Sequence, residues 1–306
     1  MLNRRRFIQQ TGMASLGGLM LSKLPSSFLP AALPEPGVQL YTFFNVIDND
    51  VKGTLEQIAA TGYKNIESAF SRKGGYYGFK PKEFSSLLKD MGMTWKSHHV
   101  LGAPFKLPAN AKLPVGPDGK PITIPPMKNL RDNYQEVIDE VAEGGVTYLV
   151  CASTPMETLA EIKASIAVLN KAAEAAKKAG IQFAYHNHDR EFNTVEGVVP
   201  YELFLSETDK DLVKMELDVA WSIKGGANPV ALFAKHSGRF PLWHVKDLDA
   251  DRKIVLPVGK GTIDYKPIFM AAAVAGLKNY FVEHDMPADP FASIKESMAY
   301  LKTVTG

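Results

Sequence analysis

From Gly37 onward the chain repeats one cadence: a segment of helical period, a glycine, a short β-rich run, then polar residues. The run at 37–43 opens it. Leu55, Ile58 and Ala59 then share one helix face, Gly62 ends that helix as a C-cap, and residues 63–67 are extended. Phe84, Leu87, Leu88 and Met91 form the next stripe, Gly92 stops it, and residues 93–100 follow as a strand. A helix over 129–143, Gly144-Gly145 and a strand at 147–151 continue the pattern. Thr154, Pro155 and Glu157 read as a helix start; Leu159, Ile162, Ile166 and Leu169 carry that helix's buried face, and Gly180 closes it.

The remaining strands are expected at 181–186, 213–219, 241–247 and 279–285, separated by helices near 199–206, 228–238 and 265–275 and followed by a last helix at 290–303. Eight strands alternating with helices over about 270 residues is what a single (β/α)8 TIM barrel requires. A doubly wound open sheet would need a glycine-rich phosphate loop after its first strand, and Tyr41-Thr42-Phe43-Phe44-Asn45 is not one. The barrel is assigned to residues 33–306. Only residues 103–127, with seven prolines, break the rhythm, and an insertion of that length either covers a binding site or is a surface excursion.

Residues 1–32 are set apart by charge. They hold Arg4, Arg5, Arg6 and Lys23 and no acid, so the formal +2 of the whole chain hides 31 basic against 33 acidic residues in the remainder. That balance gives no basic surface for nucleic acid, and argues against an endonuclease. A basic start followed by the weakly apolar, glycine-rich stretch 11–22 describes an export signal and linker. Arg4-Arg5-Arg6-Phe7-Ile8 resembles the twin-arginine signal, which implies that residues 3–9 engage the twin-arginine (Tat) export machinery and that the barrel works in the periplasm. The apolar stretch falls short of the roughly 20 residues of a stable membrane span. Cleavage near Pro30-Ala31-Ala32 fits, and an uncleaved anchor stays open.

In such barrels the active site lies at the C-terminal ends of the strands, and that rim is where the ionisable residues collect. In strand order these are Glu67; His98 and His99; His186 and His188; Glu216 and Asp218; His244 and Lys246; and Glu283, His284 and Asp285. The opposite ends carry almost nothing of the kind. The lone Cys151 excludes an internal disulfide and a cysteine metal site. His186, Asp218, His244 and Glu283 together offer two imidazole nitrogens and two carboxylate oxygens, a donor set suited to divalent Mn, Zn, Co or Fe rather than Ca. Each residue alone would also serve as a hydrogen-bonded rim residue.

The chain resembles the xylose-isomerase-like TIM-barrel family of sugar isomerases and epimerases. The resemblance rests on Gly-Val-Gln-Leu-Tyr (37–41), Gly-Tyr-Lys-Asn-Ile-Glu (62–67), Ser-His-His (97–99), Tyr-His-Asn-His-Asp (185–189), Glu-Leu-Asp-Val-Ala-Trp (216–221), His-Val-Lys-Asp (244–247), Val-Gly-Lys-Gly-Thr-Ile-Asp (258–264) and Val-Glu-His-Asp (282–285). It implies metal ligation by His186, Asp218, His244 and Glu283, and contact of His99, with His98 beside it, to substrate oxygens. Glu67 joins that substrate group. His186 stands where the family's ketose 3-epimerases carry a glutamate, so a symmetrical two-glutamate mechanism does not transfer, and the pattern is closer to the inosose dehydratase branch. Phe44 replaces an arginine frequent in relatives, which argues against a phosphorylated sugar.

The expected reaction is isomerisation or epimerisation of an unphosphorylated keto-sugar, by proton abstraction α to the carbonyl through a metal-stabilised enediolate. Glu283 is the expected base. Lys246 is expected to donate a proton or polarise a leaving hydroxyl, unless it is bound structurally to Asp247. His188 is the candidate opposite acid/base group, and Trp221 a wall for the sugar ring. Loss of water or a β-substituent, as in a dehydratase or lyase, is the alternative outcome; a non-catalytic sugar-binding barrel is the competing class. The oligomeric state, a homo-oligomer included, is open.

Overall fold

A computed structural model of the chain describes residues 33–106 and 127–305. The export-signal reading of 1–32 and most of the 103–127 insertion lie outside them. Eight parallel strands form a closed barrel: β1 Gly37–Gln39, β2 Asn65–Ser68, β3 Thr94–Leu101, β4 Tyr148–Ser153, β5 Gln182–His186, β6 Val213–Asp218, β7 Leu242–Val245 and β10 Asn279–Val282. Two short strands, β8 Asp247–Leu248 and β9 Val255–Leu256, form an antiparallel hairpin outside the ring. Among the described residues no helix is long and apolar enough to cross a membrane.

The helices follow the expected punctuation. The helix Val51–Thr61 starts where Asp50 accepts from Gly53 N and ends at Gly62, whose φ of 103° is open to glycine and strained for other residues. The barrel's lower interior is filled by Tyr148, Val150, Ala184, Leu242 and Phe281. Phe281 presses so close to β1 that a Cβ on Gly37 would lie 2.5 Å from its ring, which is why that position admits only glycine.

Several boundaries differ from the sequence expectation, each for a local reason. The first strand ends at Gln39, because its side chain accepts from Tyr41 N and turns Leu40–Phe43 into a 3-10 helix. The helix expected from Thr154 begins at Leu159, capped by Thr158, which accepts from Glu161 N. Thr154 instead donates to Ser165 and packs against the finished helix. The strand expected at 241–247 leaves the barrel after Val245, and Asp247 starts the hairpin. The helix expected at 265–275 is broken at Ala271 into Tyr265–Met270 and Ala272–Ala275.

Register decides which polar residues face inward. Gln39 is level with Glu67, Glu67 with Ser97, His186 with Glu216, and Asp218 with His244. Partners in register share a face, and alternate residues along a strand share it too. Gln39, Glu67, His99, His186, Glu216, Asp218 and His244 therefore all point into one enclosure at the C-terminal half of the barrel.

Candidate active site

The inward residues form two levels. In the upper one, Asp218, His244 and Glu283 each offer a donor atom within 4.8 Å of the other two. His244 Nδ1 lies 2.7 Å from Glu283 Oε2, and Asp218 Oδ2 lies 3.9 Å from both His244 Nδ1 and His186 Nε2. Asp218 Oδ2 is buried and ion-paired with Lys246 Nζ at 3.0 Å, while Asp218 Oδ1 caps the following helix Val219–Lys224 by accepting from Trp221 N. Two carboxylates and one imidazole thus converge, with His186 Nε2 facing them, a donor set that fits a divalent ion of the Mn, Zn, Co or Fe kind.

The four expected ligands do not form a single tight group. His186 belongs with the lower level, where His99, His186, Glu216 and His244 bring donor atoms together. Its Nδ1 donates to Glu216 Oε2 at 3.1 Å. His99 Nε2 lies 2.6 Å from the same oxygen and 3.3 Å from Glu67 Oε1. His244 Nε2 meets Glu67 Oε1 at 2.5 Å, and Gln39 donates to that oxygen at 3.0 Å.

Lys246 is enclosed among three carboxylates, with Nζ 3.0 Å from Asp218, 2.6 Å from Glu283 and 2.9 Å from Asp285. The alternative partner, Asp247, is engaged elsewhere: it accepts from Leu248 N, Gly259 N and Ile263 N and so ties down the glycine turn. Burial works against the Lys246 charge, but Asp218, Asp285 and Glu283 outweigh it and raise the ammonium's pKa well above the ordinary range. Burial likewise pushes Glu283 up, yet Lys246 and His244 hold it well below the usual carboxylate range. At neutral pH Lys246 is therefore charged and Glu283 ionised.

In the lower level, burial opposes a charge on His99, and Glu67 with Glu216 overcomes it, raising the imidazole to about 9. Burial, then the Glu67 charge, pushes Glu216 up to about 7. Burial and the surrounding cations push His186 well below the imidazole range, which keeps it neutral.

A cavity of about 1100 Å³ opens above these levels. Tyr41, Phe44, Phe70 and Tyr76 supply aromatic wall, and His99, His186, His188, Glu283 and Asp285 supply polar groups. Glu67 has no exposed surface, so it lies beneath His244 and out of a substrate's reach, contrary to the expectation that it binds substrate. His98 alternates with His99 along the strand, bonded to Ser68 Oγ at 2.7 Å with its ring edge-on to Tyr76, and borders the same cavity. Lys246 stands just behind the wall, 1% exposed.

His188 is half-exposed, with Nδ1 3.9 Å from Glu191 Oε1 and its ring 5.0 Å from that of His186. Trp221 stands beside it, ring centroids 6.4 Å apart, and 5.2 Å from the Lys246 ammonium.

The sequence reading gave no role to Glu216, Gln39 or Asp285. A signal existed for the first, since Glu216 precedes Asp218 by two and so shares its face. The Asp285 contact to Lys246 spans 39 residues and had no local signal.

The family model described as xylose isomerase-like TIM barrel matches residues 55–304. An inosose dehydratase from Geobacillus thermodenitrificans (strain NG80-2) is 28% identical over 160 residues, covering 45% of this chain and 53% of that protein. The chain thus matches about half the length of the curated relatives. A solved sugar phosphate isomerase/epimerase from Parabacteroides distasonis ATCC 8503 is 27% identical, with a TM-score of 0.70 over 91% of this chain and 98% of the other. An L-ribulose 3-epimerase, 16% identical with a TM-score of 0.66 over 89% of this chain and 95% of the other, shares the fold.

Proposed function

Because the chain belongs to the xylose isomerase-like TIM barrel family, we propose that it is a divalent-metal-dependent enzyme that removes the proton α to the carbonyl of an unphosphorylated keto-sugar. The observation that carries this reading is Glu283, an ionised carboxylate on the cavity wall whose other contacts are His244 and the Lys246 ammonium. Asp218, His244 and Glu283, with His186 Nε2 facing them, are the residues that would hold the ion. When bound, such an ion supplies Lewis acidity toward the carbonyl oxygen and the adjacent hydroxyl.

Glu283 accepts the α-proton, and the electrons of the broken C–H bond move into the enolate. His188, on the cavity wall with Trp221 beside it, would flank the sugar ring. Return of a proton to carbon, from Glu283 for isomerisation or from His188 on the opposite side for epimerisation, completes the first reading. An unphosphorylated substrate is supported by Phe44 on the wall and by the pairing of two of the three lining cations, Lys128 with Glu140 and Arg190 with Glu157, the third being Lys106.

One feature favours a second outcome. His186 offers no second carboxylate, while Lys246 is held fully charged within 2.6 Å of the base. The Lys246 ammonium, acting through one water, would polarise a β-oxygen, which leaves with the α-proton returned from Glu283 as the C–O bond breaks, giving a dehydratase or lyase. The similarity to inosose dehydratases supports that outcome for a relative of this kind.

Incubation of keto-sugars with the metal-loaded protein in D₂O tests both. Deuterium fixed in an isomeric product supports the first reading, and release of water or an alcohol supports the second. Metal and sugar binding without any exchange would leave a sugar-binding barrel. We further propose export through residues 3–9, on the strength of the arginine motif alone.

A further inference from the structure

We infer that Glu67, His99 and Glu216 form a positioning layer, which fixes the two ligand imidazoles from below, with the two glutamates out of a substrate's reach. The inference rests on the metal reading above and adds residues that the reading does not use.

An imidazole has two nitrogens, and the hydrogen bond made by one decides what the other presents. His244 turns Nδ1 to the upper level, 2.7 Å from Glu283, and Nε2 to Glu67 at 2.5 Å. His186 does the same with its nitrogens exchanged: Nε2 faces Asp218, and Nδ1 donates to Glu216 at 3.1 Å. Each ring that would ligate a metal thus stands on its own buried carboxylate, which would keep the proton on the lower nitrogen once an ion took the upper one.

The two supports are joined. His99 reaches both carboxylates through one nitrogen, and its ring lies parallel to His244 at 5.1 Å, with an interplanar angle of 1°. Gln39 fixes Glu67 from the other side. Both glutamates have no exposed surface, so neither can touch a sugar in the cavity. Nε2 of His99 is committed to the two carboxylates, while its ring still borders the cavity.

The test uses the full chain loaded with Co²⁺, whose visible spectrum reports ligand geometry. Glu67→Gln and Glu216→Gln keep side-chain volume, and a cooperative melt with native far-UV dichroism establishes that each variant folds. Both are expected to weaken Co²⁺ affinity by about 10–100-fold and to shift the visible bands of the loaded protein. His99→Gln is expected to shift the bands as well. A layer that merely packs the barrel would lower the melting temperature and leave the bands of the loaded protein alone.

Unchanged affinity and bands in both glutamate variants overturn the inference while leaving the metal reading intact. Unchanged bands in His99→Gln overturn the joining role. Should one glutamate variant fail to fold, the other decides, because the two imidazoles rest on separate carboxylates. A wild-type chain that takes up no Co²⁺ removes the metal reading and this inference together, an outcome distinct from the others.

Discussion

The Lys246 ammonium lies 2.6 Å from Glu283 and 3.0 Å from Asp218, between two carboxylates that a divalent ion would also use. A positive charge is thus built into the barrel mouth by the chain itself, and a metal has to share the carboxylates with it.

Lys246→Met should retain metal with equal or tighter affinity, since it removes a competing cation. Turnover should fall at least about 100-fold, the lower range of a lost acid/base group. Elemental analysis and deuterium exchange, read on the same preparation, check the two halves. Loss of metal in this variant would show that the lysine supports the site and does not compete in it.

Asp218→Asn is the sharper change at the ion's position. An amide oxygen can still accept from Trp221 N and keep the helix cap, but the negative charge is gone. Metal affinity should drop by more than about tenfold in a variant whose native far-UV dichroism shows that it folds, even as the melting temperature falls with the loss of a buried Lys246 partner. Retained affinity would mean that Asp218 is not a ligand.

Stability of the metal-free protein should decline as pH rises from about 6.5 to about 9. His99 is raised from its ordinary 6.5 to about 9, so the stability it contributes is complete below the lower value and is lost on approach to the higher. Glu216, raised from 4.5 to about 7, acts in the same direction at lower pH, because it resists ionising in the fold. Thermal melts in chelator at several pH values measure the slope, and His99→Gln should flatten it. A melting temperature that holds or rises across that window would contradict the assignment.

Arg239 is a support away from the site. It is 6% exposed and donates to Val213 O, Leu205 O and Thr208 Oγ1 at 2.7–3.0 Å. Arg239→Met should cost about 2–4 kcal/mol in a urea titration, the loss of charge-assisted bonds inside the fold, while Co²⁺ affinity stays as in the wild type.

For export, replacing Arg4 and Arg5 together by lysine should trap the protein in the cytoplasm, as fractionation would read. Unaltered export of the double variant would rule out the twin-arginine route.

Periodicity and glycines made the barrel legible, because each apolar stripe and each stop is a local property. Asp218, His244 and Glu283 were legible for a related reason: strand ends in a parallel barrel all meet at one rim. Depth was not legible. Nothing local to Glu67 says that it lies under His244, a relation that follows from register between strands 177 residues apart. The same holds for Lys246, whose adjacent acid, Asp247, is drawn off by the Gly259–Ile263 turn while the distant Asp285 takes its place.

The three-residue strand β1 closes the ring by pairing with both β2 and β10. Beyond it, Thr42 accepts from His284 N, a contact spanning 242 residues. Parallel pairing over such a separation forms late, since the loop it closes must first lose its freedom. Glu283 follows β10 directly, so its carboxylate reaches the cavity in the same step that seals the barrel. The candidate site is therefore complete only once β1 and β10 have met, however much of the barrel has already folded.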